Sequence, residues 1–125
     1  MTDNENGTMT PVEKNLVWLG YEDYTGLWQI VLEVQDEEGI NSLAEAQRFA
    51  KQTVESLLSR GWIELYFTDG PWTNETITAV PPEKRAQVLA ADDSWATPVG
   101  GGGKLIWFGT TDEGFSAYQE ATGWL

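Results

Sequence analysis

The clearest pattern of apolar and polar positions predicts a long helix followed directly by a strand. Residues 43–60 place apolar side chains at helical spacing, Ser42 and Glu45 have the spacing of a capping box, and Gly61 stands where the helix would end. Residues 62–67 then alternate with the two-residue period of a strand. The helix is predicted to bury Leu43, Ala46, Ala50, Val54, Leu57 and Leu58, and the strand to turn Ile63, Leu65 and Phe67 to one side.

The apolar run at residues 27–35 fits two periods. Its apolar side chains match a helical stripe, and they also alternate with polar residues as in a half-buried strand. Asp23 or Thr25 could cap a helix at this point, and acidic residues suit a first helical turn, so the helix is favoured. A helix over residues 24–35 would carry a second apolar stripe beside the core-facing one, formed by Tyr24, Trp28 and Leu32.

Residues 1–14 are polar and acidic, which predicts a disordered tail ahead of a single domain over residues 15–125. Within that domain, Pro81 and Pro82 favour the start of a short helix that ends near Ala91. The four glycines at 100–103 predict a flexible loop.

The C-terminal part of the chain predicts one more strand and one more helix. The strand runs from Lys104 to Phe108, and the sequence from Thr110 to Glu113 has capping-box character. The inward residues of the last helix are predicted to be Phe115, Tyr118 and Ala121 or Thr122.

Composition excludes several kinds of chemistry. The chain of 125 residues carries 20 acidic and 7 basic residues, a formal charge of −13, and has neither His nor Cys. A thiolate nucleophile, a His general base and a Cys or His zinc site are therefore ruled out, and so strong a negative charge repels phosphate. We expect no enzymatic activity, no cofactor and no metal. Without a leader sequence or a long apolar run, the protein is expected in the cytoplasm, away from membranes.

The long helix is the one segment with a positive balance. Residues 39–60 hold three bases and two acids, whereas residues 1–38 hold nine acids and one base. Within the helix, Glu45 and Arg48 are three positions apart and Lys51 and Glu55 are four apart, which predicts two ion pairs on its exposed face.

Aromatic residues beside acidic ones suggest a protein interface. The chain has seven Trp, four Tyr and four Phe, more than a small core needs. Aromatic side chains serve as interface anchors, and acidic neighbours steer a basic partner towards them. In the alternative, the segment 69–103 folds over these side chains and completes the core. The candidate partner-binding residues are Glu22, Asp23, Tyr24, Trp28, Leu32, Asp36, Glu37, Trp72, Asp92, Asp93 and Trp95.

The stretches "LLSRGWIELYF" at 57–67 and "FGTTDEGFSAY" at 108–118 resemble winged-helix domains, and residues 24–121 can be aligned on that plan. The resemblance implies an α+β fold with three to four helices, a small antiparallel sheet and an expanded wing that contains a short helix. One departure is that residues 43–60 contain no break that would divide them into a helix-turn-helix. The resemblance also suggests a DNA-binding set, namely Arg48, Lys51, Gln52 and Arg60.

These observations favour a non-catalytic acidic protein that binds a basic protein partner and could inhibit it, as immunity proteins, antitoxins and DNA mimics do. The alternatives are a winged-helix transcriptional regulator that binds DNA and a small domain with a structural role. Binding to nucleic acid or to a membrane is not expected, and a homodimer is left open.

Overall fold

The computed structural model describes residues 9–69, 77–95 and 104–123, which form the predicted α+β fold with a small antiparallel sheet. The described helices exceed the three to four that were predicted. The described part contains five α-helices: α1 (Pro11–Glu22), α2 (Leu27–Glu38), α3 (Leu43–Ser59), α4 (Arg85–Ala90) and α5 (Asp112–Thr122). Its strands are β1 (Thr25–Gly26), β2 (Ile63–Asp69), β3 (Thr78–Ala79) and β4 (Lys104–Thr110). Two 3-10 turns, at Pro82–Lys84 and Asp92–Trp95, flank α4.

The four strands form one antiparallel sheet in the order β1-β4-β2-β3. The main pair is β2 with β4, in register with Leu65 opposite Phe108 and Tyr66 opposite Trp107. Because side chains alternate along a strand, Leu65 and Phe108 face the helices and are fully buried, while Tyr66 and Trp107 share the outer face. On the outer face, Tyr66 and Trp107 are each partly exposed, whereas Thr68 is fully buried.

Helix α1 corrects the predicted disordered tail. Order begins before residue 15, since Thr10 and Glu13 form a capping box: the Glu13 amide donates to Thr10 Oγ1 (3.2 Å) and the Thr10 amide donates to Glu13 Oε1 (2.9 Å). Val12 and Leu16 on this helix are buried. The segment is helical because capping and burial offset its polar composition. Residues 1–8 of the predicted tail lie outside the described part.

Helix α2 confirms the helical interpretation of residues 27–35, but it begins later than predicted. The expected caps Asp23 and Thr25 are both wrong, because Gly26 is the N-cap and its amide donates to Gln29 Oε1 (2.9 Å). Tyr24 therefore precedes the helix, and the predicted stripe of Tyr24, Trp28 and Leu32 does not lie on one helix.

Helix α3 agrees with its predicted limits. The Glu45 amide donates to Ser42 Oγ (3.3 Å), and Gly61 follows the helix at φ +76°, in the left-handed region that favours glycine. Ala46, Ala50, Val54 and Leu57 are buried as predicted and Leu58 is partly buried. Leu43 is the exception, because it lies at the rim of a groove between α2 and α3 and is 62 % exposed.

A short turn joins two packed helices just before α3. Helices α2 and α3 pack against each other and are joined by residues 39–42, in which Gly39 has φ +66° and Ser42 caps the second helix. Residues 43–59 form one unbroken helix, which confirms that no turn divides this segment. The turn between two packed helices precedes Leu43.

The segment between β2 and β4 folds back onto the helices. The predicted short helix is present as the turn Pro82–Lys84 followed by α4, and the next turn packs on α2. Trp95 in that turn is 4 % exposed and its indole Nε1 donates to the Leu89 carbonyl (3.0 Å). This part of the segment completes the core, as the alternative interpretation had it. The predicted glycine loop at 100–103 lies outside the described residues.

Helix α5 was predicted in the right place with a wrong cap, and its inward face was right in part, because Tyr118 and Ala121 pack against the core. Thr111 is the N-cap and accepts from the Gly114 amide (3.0 Å), so no capping box with Glu113 forms. Thr110 ends β4 instead, and its hydroxyl donates to the Val17 carbonyl (2.7 Å). The buried residues of the helix are Gly114 and Ala117; Phe115, Tyr118 and Ala121 are only partly buried, and Thr122 is exposed.

Candidate functional site

A recess of about 330 Å³ lies where α1 ends against the outer face of the sheet. Three predicted partner-binding residues, Glu22, Asp23 and Tyr24, meet here, together with Tyr21 and Tyr66, which the sequence analysis did not select. We call it the acidic tyrosine recess; its lining consists of Gly20, Tyr21, Glu22, Asp23, Tyr24, Tyr66, Gly109 and Thr110.

Two tyrosine rings form one wall of the recess. Tyr24 and Tyr66 meet edge to face, with 5.0 Å between ring centroids and 77° between ring planes. Gly109 of β4 lies beneath both, and a Cβ at this position would come within 3.2 Å of the Tyr24 ring and 3.3 Å of the Tyr66 ring. The glycine therefore lets both rings lie close to the strand.

Tyr21 also lines the recess and is 49 % exposed. Its ring stacks on Phe115 of α5, with centroids 3.8 Å apart and planes 7° apart, and also contacts Trp18 at 5.8 Å. Packing on two aromatic neighbours orders the ring while half of it stays open to solvent. An aromatic side chain fixed in this way loses little entropy when it binds a partner.

The end of α1 concentrates negative charge at the recess. Glu22 is the last residue of the helix, Asp23 is its C-cap, and its last turn contains no basic residue. The carbonyl end of a helix carries about half a negative charge, so acids placed there are destabilising, typically by about 0.3–1 kcal/mol each. The Asp23 carboxylate also accepts a hydrogen bond from the Tyr24 amide (2.8 Å), so this acid is held at the edge of the recess.

The pKa of Tyr66 is raised above its ordinary value by burial, and further by the charge of Glu64 and by Tyr24. The folded protein holds this proton more tightly than the unfolded chain does. The resulting stability is fully present below pH 10.0, the ordinary pKa, and is lost as the pH rises through the higher folded value.

We therefore expect Tyr66→Phe to lose less stability than the wild type on going from about pH 9 to about pH 11. The measurement is urea unfolding at a series of pH values. If the free energy of unfolding changed with pH by the same amount in both proteins, the prediction would be contradicted.

The other predicted partner-binding residues lie elsewhere, so the predicted set does not form one surface. Asp36 and Glu37 are at the far end of α2, where Asn15 Nδ2 donates to Glu37 Oε1 (3.1 Å). Trp28, Leu32 and Asp92 line the groove beside α3, with Asp93 in the adjoining turn. Trp95 is no exposed anchor, because it is buried beneath that groove. Trp72 lies outside the described residues.

Trp28 is held by the outer face of the sheet. Its ring meets Trp107 edge to face at 5.2 Å, and the Trp107 indole donates to Thr68 Oγ1 (2.9 Å). The contact depends on Gly26, since a Cβ there would fall 1.9 Å from the Trp28 ring. Trp28 is half-buried. It connects α2 to the sheet through Trp107 and also lines the groove beside α3.

The four residues of the suggested DNA-binding set do not share a face. Arg60 lies 3.7 Å from Glu13 of α1, with its guanidinium carbon 4.7 Å from the Trp62 ring centroid. Lys51 is nine positions earlier, about half a turn away around the helix axis. Arg48 and Lys51 border the groove between α2 and α3, and Gln52 is exposed one turn after Arg48.

The predicted ion pairs on α3 are absent from the structure. Among the described residues, neither Glu45 with Arg48 nor Lys51 with Glu55 forms an ion pair. Exposed charges on a helix gain little by pairing and lose side-chain freedom, which explains why correct spacing does not guarantee contact.

Comparisons with models of protein families, with curated protein sequences and with solved structures give no match. Within the described ranges, no three acidic side chains are grouped so that they could hold a metal ion. Nor does that part of the chain include a helix long and apolar enough to cross a membrane. The functional argument therefore rests on the geometry and charge of the surfaces described above.

Proposed function

We propose that the protein is a non-catalytic module that binds a basic protein partner through the acidic tyrosine recess. The observation that carries this proposal is the placement of exposed Tyr21 and Tyr24 beside Glu22 and Asp23 around one concavity. Immunity proteins, antitoxins and DNA mimics are the functional classes that such binding would suit.

The recess suits a cationic side chain of the partner. An Arg or Lys side chain entering it would meet the tyrosine rings and the two carboxylates of Glu22 and Asp23. Contact of a cation with an aromatic ring contributes about 0.5–1 kcal/mol at exposed sites, and more where water is excluded. Tyrosine also supplies much contact area at low entropic cost, which is why it is frequent in interface hot spots.

The overall charge of −13 would assist such binding by steering. A uniformly signed field raises the rate at which oppositely charged partners meet and lowers the rate for partners of the same sign. Steering of this kind weakens as salt increases, because the Debye length falls to about 8 Å at physiological ionic strength.

Helices α2 and α3, with the short turn between them, support DNA binding as a second candidate. On α3, Arg48 and Gln52 are exposed, but so are Glu45 and Glu55. Arg60 is already engaged with Glu13. With so few cations available and acids beside them, phosphate contacts would be few, so the protein-binding proposal is the better supported.

The proposal is tested by capture from the native cell lysate at low and high salt, followed by calorimetric titration of the captured protein. We expect a basic protein whose affinity falls as salt rises. The double variant Glu22→Gln/Asp23→Asn should bind it about tenfold more weakly.

The matched control is Asp36→Asn/Glu38→Gln, which removes the same charge at the end of α2. It should lose clearly less affinity than the recess variant. Equal losses would show that net charge, not the recess, determines binding. A gel shift with duplex DNA at low salt tests the second candidate: binding weakened by Arg48→Ala would favour it.

A further inference from the structure

We infer that the groove between α2, α3 and the turn after α4 is a binding site for a small amphipathic carboxylate, meaning a monoanion with an apolar body. The groove has a volume of about 600 Å³, within the range of roughly 300–1,000 Å³ typical of small-molecule sites. It is distinct from the acidic tyrosine recess and shares no lining residue with it. The inference therefore does not depend on the proposed function.

The walls of the groove are largely apolar. Val31, Leu89 and Trp95 are buried side chains that border it, each less than 5 % exposed. At its rim, Leu32 of α2 and Leu43 of α3 are 56 % and 62 % exposed, although Leu27 and Leu57 on the same helices are fully buried. Large apolar side chains left open beside a concavity indicate a surface that binds apolar groups.

Two cations border the same groove. Arg48 and Lys51 are three positions apart on α3 and so lie on neighbouring turns of one side of the helix. Among the described residues they form no ion pair, so their charges remain available to an anion. In a protein of charge −13, this pairing of cations with apolar walls selects a negatively charged ligand with an apolar part.

One acid also borders the groove and limits the charge of the ligand. Asp92 Oδ1 accepts a hydrogen bond from Gln47 Nε2 of α3 (3.4 Å). Its negative charge opposes a second anionic group, which favours a monocarboxylate over a polyphosphate. A second copy of the chain is a poor occupant, because two proteins of charge −13 repel each other.

The test is a titration of the isotope-labelled full chain with sodium decanoate below its micelle concentration, followed by backbone amide shifts in NMR spectra. We expect saturable shifts concentrated in α2, α3 and the turn at Asp92–Trp95. Methyl decanoate, which has the same chain without the charge, should bind about tenfold more weakly.

Two double variants separate the groove cations from net charge. Arg48→Gln/Lys51→Gln should weaken decanoate binding about tenfold. Lys14→Gln/Lys84→Gln, which removes the same charge away from the groove, should leave the affinity nearly unchanged. All four side chains are at least partly exposed, so both variants should fold; the thermal unfolding midpoint checks this.

Leu43→Ser tests the apolar wall and should weaken decanoate binding several-fold. The inference is overturned if the amide shifts scatter over the whole surface. It is also overturned if the two double variants bind decanoate with equal affinity. It is also overturned if amides of the groove shift with protein concentration and decanoate does not compete, because the occupant would then be a second copy.

Discussion

Replacing Gly114 by alanine is expected to lower the free energy of unfolding by at least about 2 kcal/mol. The Cβ of alanine would lie 2.1 Å from the Trp62 carbonyl oxygen and 2.9 Å from its carbon. These are backbone atoms, and the oxygen already accepts from the Thr111 amide (3.0 Å), so they cannot move aside without disturbing the junction between β2 and α5.

The sign of this effect is what makes it informative. Within most helices, exchanging glycine for alanine is stabilising by about 1 kcal/mol, because alanine restricts the unfolded chain and favours the helix. Urea unfolding measures the change, with Ser116→Ala on the exposed side of α5 as the control, expected within about 0.5 kcal/mol of the wild type. A more stable Gly114→Ala protein would show that α5 does not pack this closely on Trp62.

Phe108→Ala is expected to cost about 4 kcal/mol of unfolding free energy, the largest loss of any single change considered. The ring of Phe108 is fully buried at the centre of the sheet, opposite Leu65 on β2 and Thr25 on β1. It also abuts α1, where a Cβ at Gly20 would come within 2.7 Å of the ring. Because these neighbours belong to three elements, they cannot move far enough to fill the cavity that the alanine would leave.

The comparison variant is Phe49→Ala on α3, where the ring is only partly buried and the expected loss is about half as large. If Phe108→Ala does not fold, Phe108→Leu provides a milder change, expected to cost about 1.5 kcal/mol. Equal losses at residues 49 and 108 would contradict the assignment of Phe108 to the centre of the core.

Local patterns predicted the elements whose determinants are close in sequence. Helix α3, the stop at Gly61 and strand β2 follow from a cap, a periodic apolar face and a glycine within about 25 residues. The start of α1 carried a comparable signal that was missed: Thr10, Pro11 and Glu13 have the spacing of a capping box with proline at the first helical position.

The candidate sites depended on contacts between distant parts of the chain. Glu22, Asp23 and Tyr24 could be identified from the sequence as an acidic aromatic cluster. The sequence could not predict that Tyr66 lies beside Tyr24, because that contact depends on the pairing of β1 and β2 with β4. For the same reason, the prediction that Trp95 is exposed for partner binding was wrong. Its burial depends on the packing of the turn at Asp92–Trp95 against α2, a contact that local periodicity cannot predict.

The order of strands has a consequence for how the chain acquires its structure during synthesis. The strand that lies between β1 and β2 is β4, yet it is the last of the four to leave the ribosome. Until residues 104–110 emerge, β1 and β2 lack their shared neighbour, and Gly20 of α1 and Leu65 of β2 lack the ring that fills the space between them. The sheet therefore cannot form completely before residues 104–110 have been synthesised. Until then the apolar side of the nascent helices is exposed, which favours premature association.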